Sequence, residues 1–321
     1  MRTRKALAIV PALAGALAAT GAAADHPVTV DSCGTPLTVG AVPARAVVHD
    51  LNMTEMFFAL DLQEHMVGVT GITGWYKTDA TFDAARGDIP ELAPKYPTME
   101  NLLSVEPDFF FAGWYYGMRP GGEVTPDTLA AFDIPTLVLT ESCVHLDGEV
   151  AAASMELLFG DMLKLGQIFD KQAEAEALVS EWREELAAIE SAVGDGPATR
   201  VFLYDSGEDQ PFTAGRFAIP TAMIAAAGGV NVLEDFETSW GRTSWETAAE
   251  RNPEFLVLLD YQDGTGAQGL MDFLKAHPAM SETDAVKNER FVALRYAELT
   301  PGPANIEAIR KIAAAMHGLD F

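Results

Sequence analysis

Short apolar runs alternate with amphipathic segments along the first half of the chain. Two runs on either side of a Cys-Gly-Thr-Pro turn at 33–36 predict a β hairpin. The runs that follow predict buried strands at 45–49, 67–71, 109–113 and 136–140, with helices at 54–62, 99–105 and 125–132. Strands and helices in alternation are typical of a parallel α/β sheet.

The middle of the chain has a different period. Apolar residues recur every three or four positions from Leu157 to Ile189, and no proline occurs from 136 to 196. This spacing predicts one long helix over 154–192, about 55 Å long at 1.5 Å per residue. A helix without proline resists bending, so we expect little motion between the parts it joins.

The α/β pattern resumes after the predicted helix. Strands are predicted at 201–204, 255–259 and 291–294, and helices at 220–228, 245–250, 268–275 and 303–317. The chain is therefore predicted to be an α/β protein with two Rossmann-like lobes of mainly parallel sheets, at 25–153 and 193–321, joined by the helix at 154–192.

One segment of the first predicted lobe is repeated in the second. Thr98 and Ser244 are each followed two positions later by a glutamate, Glu100 and Glu246, and a proline comes seven positions after each glutamate. An acidic residue and an apolar run follow. The pattern predicts an N-cap, a short helix, a turn and a buried strand in each lobe. One glutamate at the same place on each lobe suits a two-fold symmetric partner.

The first 24 residues have the composition of a secretory signal peptide. Arg2, Arg4 and Lys5 precede an apolar run at 6–19 and the small residues at 22–24. A membrane anchor is the weaker interpretation, because the apolar run is short and contains Pro11. We expect cleavage after Ala24 and a periplasmic mature protein.

The charge of the chain excludes some classes of partner. The formal net charge is −26, and loss of residues 1–24 would remove three further cations. A surface this negative repels nucleic acid and anionic lipid. Motifs of common enzymes, such as G-x-S-x-G, the P-loop and H-E-x-x-H, are absent from the sequence, so we do not expect an enzyme.

The two cysteines, Cys33 and Cys143, favour one disulfide in an oxidising compartment. Closing so long a loop would contribute up to ~4 kcal/mol in the chain-entropy model. A metal site built on this pair is less favoured, since neither cysteine has a histidine or a second cysteine at finger-like spacing.

The chain resembles the periplasmic substrate-binding proteins of ABC importers for ferric siderophores, haem and cobalamin. The resemblance covers about 37–318 and rests on the lobe–helix–lobe order, the PARAVV segment at 43–48, the repeated Glu-x6-Pro-acid-Phe pattern and AVKNERFVAL at 285–294. It implies a monomer that captures a ligand between the lobes and delivers it to an inner-membrane permease dimer. Glu100 and Glu246 would each meet arginines on one permease subunit.

The resemblance leaves the ligand open. An iron-siderophore-type metal chelate is most consistent with it. Cobalamin, haem or another large cofactor-like organic molecule is the alternative, and direct binding of a metal ion is a further one. His49, Glu141 and His145 lie at predicted strand ends and could supply metal ligands, but the second lobe has no histidine in a matching place. No metal site is therefore assigned.

Candidate ligand-binding residues follow the predicted strands, because open α/β sheets place ligands at the carboxyl ends of their strands. Five aromatic residues lie in glycine-flanked segments without a period that would bury them, and we expect at least two of these to line the cleft. Aromatic rings and arginines together would suit a large, flat ligand with negative charge. The candidates are Trp75, Tyr76, Trp114, Tyr115, Tyr116, Arg119, Arg216, Trp240, Arg242, Tyr261 and Tyr296.

Overall fold

The computed structural model describes residues 26–74, 78–146, 151–262 and 265–321. The chain begins with the antiparallel hairpin β1 (Val28–Ser32) and β2 (Thr35–Val39), as the sequence predicted. The predicted signal peptide lies outside the described residues. No helix in the described part of the chain is long and apolar enough to cross a membrane.

The first lobe is built on a parallel sheet. Its strands pair in the order β5-β4-β3-β6-β7, with β8 also paired to β6, and each of these pairs is parallel. The strands are β3 (Ala46–His49), β4 (Met66–Thr70), β5 (Glu91–Ala93), β6 (Phe109–Trp114), β7 (Gly117–Met118) and β8 (Thr136–Val138). The helices are α1 (Leu51–Ala59), α2 (Ala80–Arg86), α3 (Met99–Leu103) and α4 (Pro126–Ala130).

Two helices, rather than the single helix predicted over 154–192, follow the first lobe. They are α5 (Met155–Ile168) and α6 (Gln172–Val193). The chain turns at Asp170, which has a left-handed φ of 57°. The turn lets buried Phe169 pack edge-on against Phe57 of α1, with ring centroids 5.1 Å apart. The apolar period continues through the break because Phe169 is itself a core residue.

The two helices pack closely beside this turn. A Cβ on Gly166 of α5 would lie 2.5 Å from the Cβ of Ala175 on α6, so only glycine allows this approach. The helix predicted over 154–192 is therefore interrupted, and α6, with 22 residues, is its longer part. The expectation of little motion between the lobes, which rested on that helix, stays a prediction.

The second lobe has a parallel sheet of its own, in the order β11-β9-β13-β14. A short antiparallel ribbon of β10 and β12 lies beside it. The strands are β9 (Thr199–Tyr204), β10 (Phe212–Ala214), β11 (Gly229–Asn231), β12 (Trp240–Arg242), β13 (Phe255–Leu259) and β14 (Phe291–Leu294). The helices are α7 (Ile219–Ala226), α8 (Trp245–Glu250), α9 (Gly266–Ala276), α10 (Asp284–Lys287), α11 (Tyr296–Leu299) and α12 (Ala304–His317).

One apolar core extends through both lobes. It includes Val48 and Phe111 of the first sheet, Trp182 of α6, Ile224 of α7 and Ile312 of α12, all of them buried. The predicted α/β class with mainly parallel sheets is confirmed. The shared core shows that the lobes are held together by packing as well as by chain connection.

The predicted disulfide is present. Cys33 and Cys143 are bonded, with their Cα atoms 5.3 Å apart. Cys33 lies in the turn of the β1–β2 hairpin, and Cys143 lies in a 3₁₀ turn at Thr140–His145 that follows β8. The bridge therefore fixes the N-terminal hairpin to the end of the first lobe.

Candidate functional site

A cavity of about 450 Å³ lies where the carboxyl ends of the two sheets face each other. We call it the interlobe cleft, and its volume is in the usual range for a small-molecule site. The first lobe contributes residues that follow β6 and β8, and the second lobe contributes residues at or after β9, β13 and β14 as well as the β10–β12 ribbon. The lining residues are Tyr115, Tyr116, His145, Asp205, Phe212, Trp240, Leu259, Tyr261, Tyr296 and Thr300.

A tight turn after β6 brings two adjacent tyrosines to the cleft. Tyr115 has a left-handed φ of 63°, and its N–H donates to the Met118 carbonyl at 2.7 Å. Its ring is 52% exposed and packs edge-on against His145, with centroids 4.5 Å apart. Tyr116 is 8% exposed. In an extended segment, the side chains of neighbouring residues point to opposite sides. The left-handed conformation of Tyr115 interrupts this alternation, and both tyrosines line the cleft.

The wall from the second lobe is aromatic. The Trp240 ring is stacked on Phe212 across the β10–β12 ribbon, with centroids 6.0 Å apart. The rings of Tyr261 and Tyr296 are stacked at 6.4 Å. Tyr115, Tyr116, Trp240, Tyr261 and Tyr296 were all candidates from the sequence, and the structure brings these five together.

Two aspartates hold the hydroxyl groups of the stacked tyrosines. Tyr261 Oη donates to Asp205 Oδ2 at 3.0 Å within the second lobe. Tyr296 Oη donates to Asp50 Oδ2 at 3.0 Å, and this bond crosses from the second lobe to the first. Burial raises the pKa of Asp205 above its ordinary value, and the hydrogen bonds from Ser206 and Tyr261 oppose that effect.

Trp114 lies elsewhere, which corrects its interpretation as a cleft residue. It is the last residue of β6 and is 7% exposed. Alternate residues of a strand face opposite sides, so Trp114 points the same way as Phe110, into an apolar cluster separate from that of Phe111. It borders a second cavity of about 260 Å³ near Cys33. Trp75 and Tyr76 lie outside the described residues.

The three candidate arginines are engaged outside the cleft lining. Arg119 lies over the ring of Tyr96, 4.9 Å from its centroid. Arg216 Nη1 is 3.6 Å from Glu237 Oε1. Arg242 donates to the Gln210 carbonyl at 2.9 Å and lies over Phe212. Arg242 is related to the cleft through Phe212 and through its charge, which opposes the rise that burial causes in the pKa of Asp205.

His49, Glu141 and His145 have separate environments. His49 is buried, with Nδ1 2.8 Å from Thr70 Oγ1, and burial lowers its pKa to about 3. Glu141 is buried against the second lobe, and burial raises its pKa to about 7. His145 lines the cleft, and burial lowers its pKa. Within the described ranges, no group of three His, Cys, Asp or Glu side chains is arranged to hold a metal ion.

Sequence reasoning missed several lining residues. Leu259 ends a predicted strand and Asp205 follows one, so both positions could have been selected from the sequence, whereas His145 was considered only as a metal ligand. Phe212 and Thr300 could not be selected from the sequence. Phe212 lies in β10, a strand of three residues that is too short to show an alternating pattern, and Thr300 follows a helix of only four residues. Asp50 directly follows the strand predicted at 45–49, but its bond to Tyr296, 246 residues away in sequence, had no local signal.

The repeated segment forms the same local structure in both lobes. Thr98 Oγ1 accepts the N–H of Asn101 at the start of α3, and Ser244 Oγ accepts the N–H of Thr247 at the start of α8. Each helix is followed by a buried strand, β6 or β13. The predicted N-cap, helix and strand are confirmed twice. Glu100 and Glu246 are exposed in the first turn of their helices.

Comparison with known proteins agrees with this architecture. The family model of the periplasmic binding proteins matches residues 47–297. A cobalamin-binding protein of Halobacterium salinarum is 24% identical over 302 residues, which are 92% of this chain and 75% of that protein.

Two solved structures share the fold over nearly their whole length. A periplasmic binding protein from Veillonella parvula DSM 2008 has a TM-score of 0.80 and 29% identity, covering 92% of this chain and 98% of that one. An ABC-type Fe³⁺-hydroxamate transport system protein from Saccharomonospora viridis DSM 43017 has a TM-score of 0.77 and 23% identity, covering 91% and 99%. At 23% identity the second likeness concerns the fold alone.

Proposed function

The chain belongs to the periplasmic binding protein family, and from that premise we propose that it captures an iron-siderophore-type metal chelate in the interlobe cleft. It would then deliver this ligand to the inner-membrane permease of an ABC importer. Its family and solved relatives are solute-binding proteins, not enzymes. We also infer that residues 1–24 are a cleaved signal peptide and that the mature protein acts as a periplasmic monomer.

The observation that carries the proposed ligand class is the aromatic lining of the cleft. Trp240, Tyr261 and Tyr296 offer flat surfaces on one side, and Tyr115 and Tyr116 offer them on the other. Such walls suit a bulky organic chelate that exposes apolar surface around an enclosed metal.

The charges near the cleft favour one type of chelate. Asp50 and Asp205 are acidic, whereas the three candidate arginines are engaged outside the described lining. A trianionic catecholate complex would bring further negative charge into this site, which costs free energy unless a cation is paired with it. An uncharged or monocationic ferric hydroxamate fits better.

Cobalamin is the second candidate. The relative from Halobacterium salinarum that is named a cobalamin-binding protein favours it, and the corrin ring would also suit aromatic walls. Haem carries two carboxylates, so it is less well suited to the acidic residues of the cleft.

Titration of tryptophan fluorescence tests these ligands. Ferrioxamine B, cyanocobalamin and haemin would each be added to the purified protein. We expect ferrioxamine B to quench the fluorescence with saturation, because Trp240 lines the cleft. Trp240→Phe should remove most of that response, whereas Trp182→Phe should keep it, since Trp182 lies in the core. Saturable binding of cyanocobalamin with no response to ferrioxamine B would show that the ligand is a corrinoid and not a siderophore.

We further propose that Glu100 and Glu246 contact the two permease subunits. Both are exposed at equivalent positions of the two lobes, and charges at the edge of an interface mainly steer and orient association.

A further inference from the structure

Glu141 connects the two lobes through a buried hydrogen bond. Its Oε1 accepts the N–H of Ile219, the first residue of α7, at 2.7 Å, and the two residues are 78 positions apart. Ala218, the N-cap of α7, has no side chain that could accept this proton. A carboxyl group of the first lobe thus caps a helix of the second lobe. Free N–H groups and the helix dipole at this end favour such an acceptor.

The other oxygen of Glu141 reaches a residue of the cleft. Tyr116 Oη, 3.3 Å away, donates to Glu141 Oε2, and Tyr116 lines the interlobe cleft. The 3₁₀ turn that carries Glu141 is itself fixed: Thr140 N–H donates to Asp161 of α5 at 2.8 Å, and Cys143 is bonded to Cys33. The carboxyl group therefore joins a cleft tyrosine of one lobe to a helix of the other from a rigid support.

We infer that Glu141 is a positioning residue for the ligand site, which holds Tyr116 and the start of α7 in one hydrogen-bonded unit that sets the spacing of the lobes. We call this unit, made of Glu141, Tyr116 and Ile219, the Glu141 bridge. The inference rests on the proposed function only in taking the interlobe cleft as the ligand site.

The proton on Glu141 gives the bridge a measurable signature. Burial raises its pKa to about 7, and the neighbouring Asp161 acts in the same direction, while the bonds from Ile219 and Tyr116 oppose it. Lys164 pairs with Asp161, and α7 contains no titratable residue. If the bridge opens to water, Glu141 returns toward its ordinary pKa of 4.5. The closed form then holds more protons between these two values, so opening becomes more favourable as the pH rises through this range and stays constant above it.

Hydrogen exchange of the Ile219 amide, followed by NMR without ligand, tests the bridge. After correction for the intrinsic exchange rate, we expect protection to fall by up to about tenfold per pH unit from pH 5 to pH 7 and then to level off. Glu141→Gln keeps an acceptor and a donor but does not titrate, so its protection should be independent of pH. The control Glu254→Gln, which changes an acceptor of the Arg200 N–H inside the second lobe, should keep the slope of the unmodified protein.

A second measurement addresses the cleft. Glu141→Ala should reduce Ile219 protection at every pH and weaken ferrioxamine B binding at least about tenfold, because a buried N–H and a buried hydroxyl lose their acceptor. Tyr116→Phe should weaken binding while Ile219 stays protected.

The two measurements separate the possible failures. If ferrioxamine B does not bind the unmodified protein, the proposed ligand fails, and the exchange data still decide the bridge. Protection that ignores pH in the unmodified protein, or an identical slope in Glu141→Gln, would overturn the inference. If Glu141→Ala does not fold, Glu141→Gln alone suffices for this decision.

Discussion

The two lobes are alike where we propose that they meet the permease and unlike where they face the ligand. The helices α3 and α8 have the same cap type, the same exposed glutamate and the same following strand. In the cleft, each lobe contributes two tyrosines, but the first lobe adds a histidine, whereas the second adds Asp205 and the rings of Phe212 and Trp240. The two lobes thus share the capped helix with its exposed glutamate but present different residues to the cleft.

The difference extends to how each lobe is stabilised. The first lobe carries the Cys33–Cys143 disulfide and the buried imidazole of His49. The second lobe contains no cysteine, because these two are the only ones in the sequence. Its cleft wall depends on stacked rings and on Tyr261 bonded to Asp205. We therefore expect the lobes to respond differently to reduction and to acid.

Removal of the disulfide should have the largest effect. Changing both cysteines, Cys33→Ser with Cys143→Ser, should lower the free energy of unfolding by about 4 kcal/mol, since a loop of this length gains much entropy in the unfolded state. Urea unfolding followed by tryptophan fluorescence would measure the loss. A reducing agent should destabilise the unmodified protein by a similar amount and leave the serine variant unchanged. An equal response of both proteins to the reducing agent would contradict this assignment.

Acid should destabilise the protein through His49. Its pKa is lowered to about 3 by burial, so below its ordinary value of 6.5 the unfolded chain binds a proton that the folded chain does not. Stability due to this group is complete above pH 6.5 and falls by up to about 1.4 kcal/mol per pH unit as the pH drops toward 3.

The variant His49→Gln isolates that contribution. The difference in unfolding free energy between it and the unmodified protein should shrink as the pH falls from 6.5 to 4.5. His317→Gln is the matched control from the second lobe, where the ring is half-buried and contacts the Ala227 carbonyl. A difference that does not change with pH would show that burial does not lower the pKa of His49 in the folded protein.

Variants of Glu100 and Glu246 test the proposed contacts with the two permease subunits. In Glu100→Ala with Glu246→Ala we expect ligand affinity to stay unchanged and ligand uptake by whole cells to fall by at least about tenfold, because charges at an interface edge control association. Glu184→Ala with Glu190→Ala, two exposed acids of α6, removes the same charge elsewhere. Uptake by the two single variants would show whether the glutamates of the two lobes contribute equally. Undiminished uptake in the double variant would remove the docking assignment.

The parts of this fold that could be predicted from sequence are those with a local signal. Apolar runs and the repeated Thr/Ser-x-Glu pattern gave the core strands and the two short helices, because caps and buried strands depend on nearby residues. The break between α5 and α6 was missed because Phe169 continues the apolar period on both sides of it. Trp114 was placed in the cleft because the predicted strand ended at Gly113, whereas β6 continues through Trp114.

The polar contacts of the cleft could not be predicted in the same way. Tyr296 meets Asp50, and Glu141 meets Ile219, only after two lobes have packed together. Such pairs have no local spacing that would show them in one sequence. Residue type and position at a strand end were enough to select five of the lining residues. The hydrogen-bond partners of these residues and the directions of their side chains became known only from the tertiary structure.

The smallest expected effect concerns the caps of the two repeated helices. Thr98→Ala and Ser244→Ala each remove a side-chain acceptor and should lower the free energy of unfolding by about 1 kcal/mol. The helix α3 has additional support, since Met99 N–H donates to Glu123 Oε1 and Thr98 N–H donates to Asn101 Oδ1. We therefore expect Ser244→Ala to disturb α8 more than Thr98→Ala disturbs α3.

Thr98→Ser and Ser244→Thr preserve the acceptor and are the controls. Amide exchange of Asn101 and Thr247 would measure each cap separately. Equal losses of protection in the two variants would show that the additional hydrogen bonds of α3 do not stabilise its first turn more than that of α8.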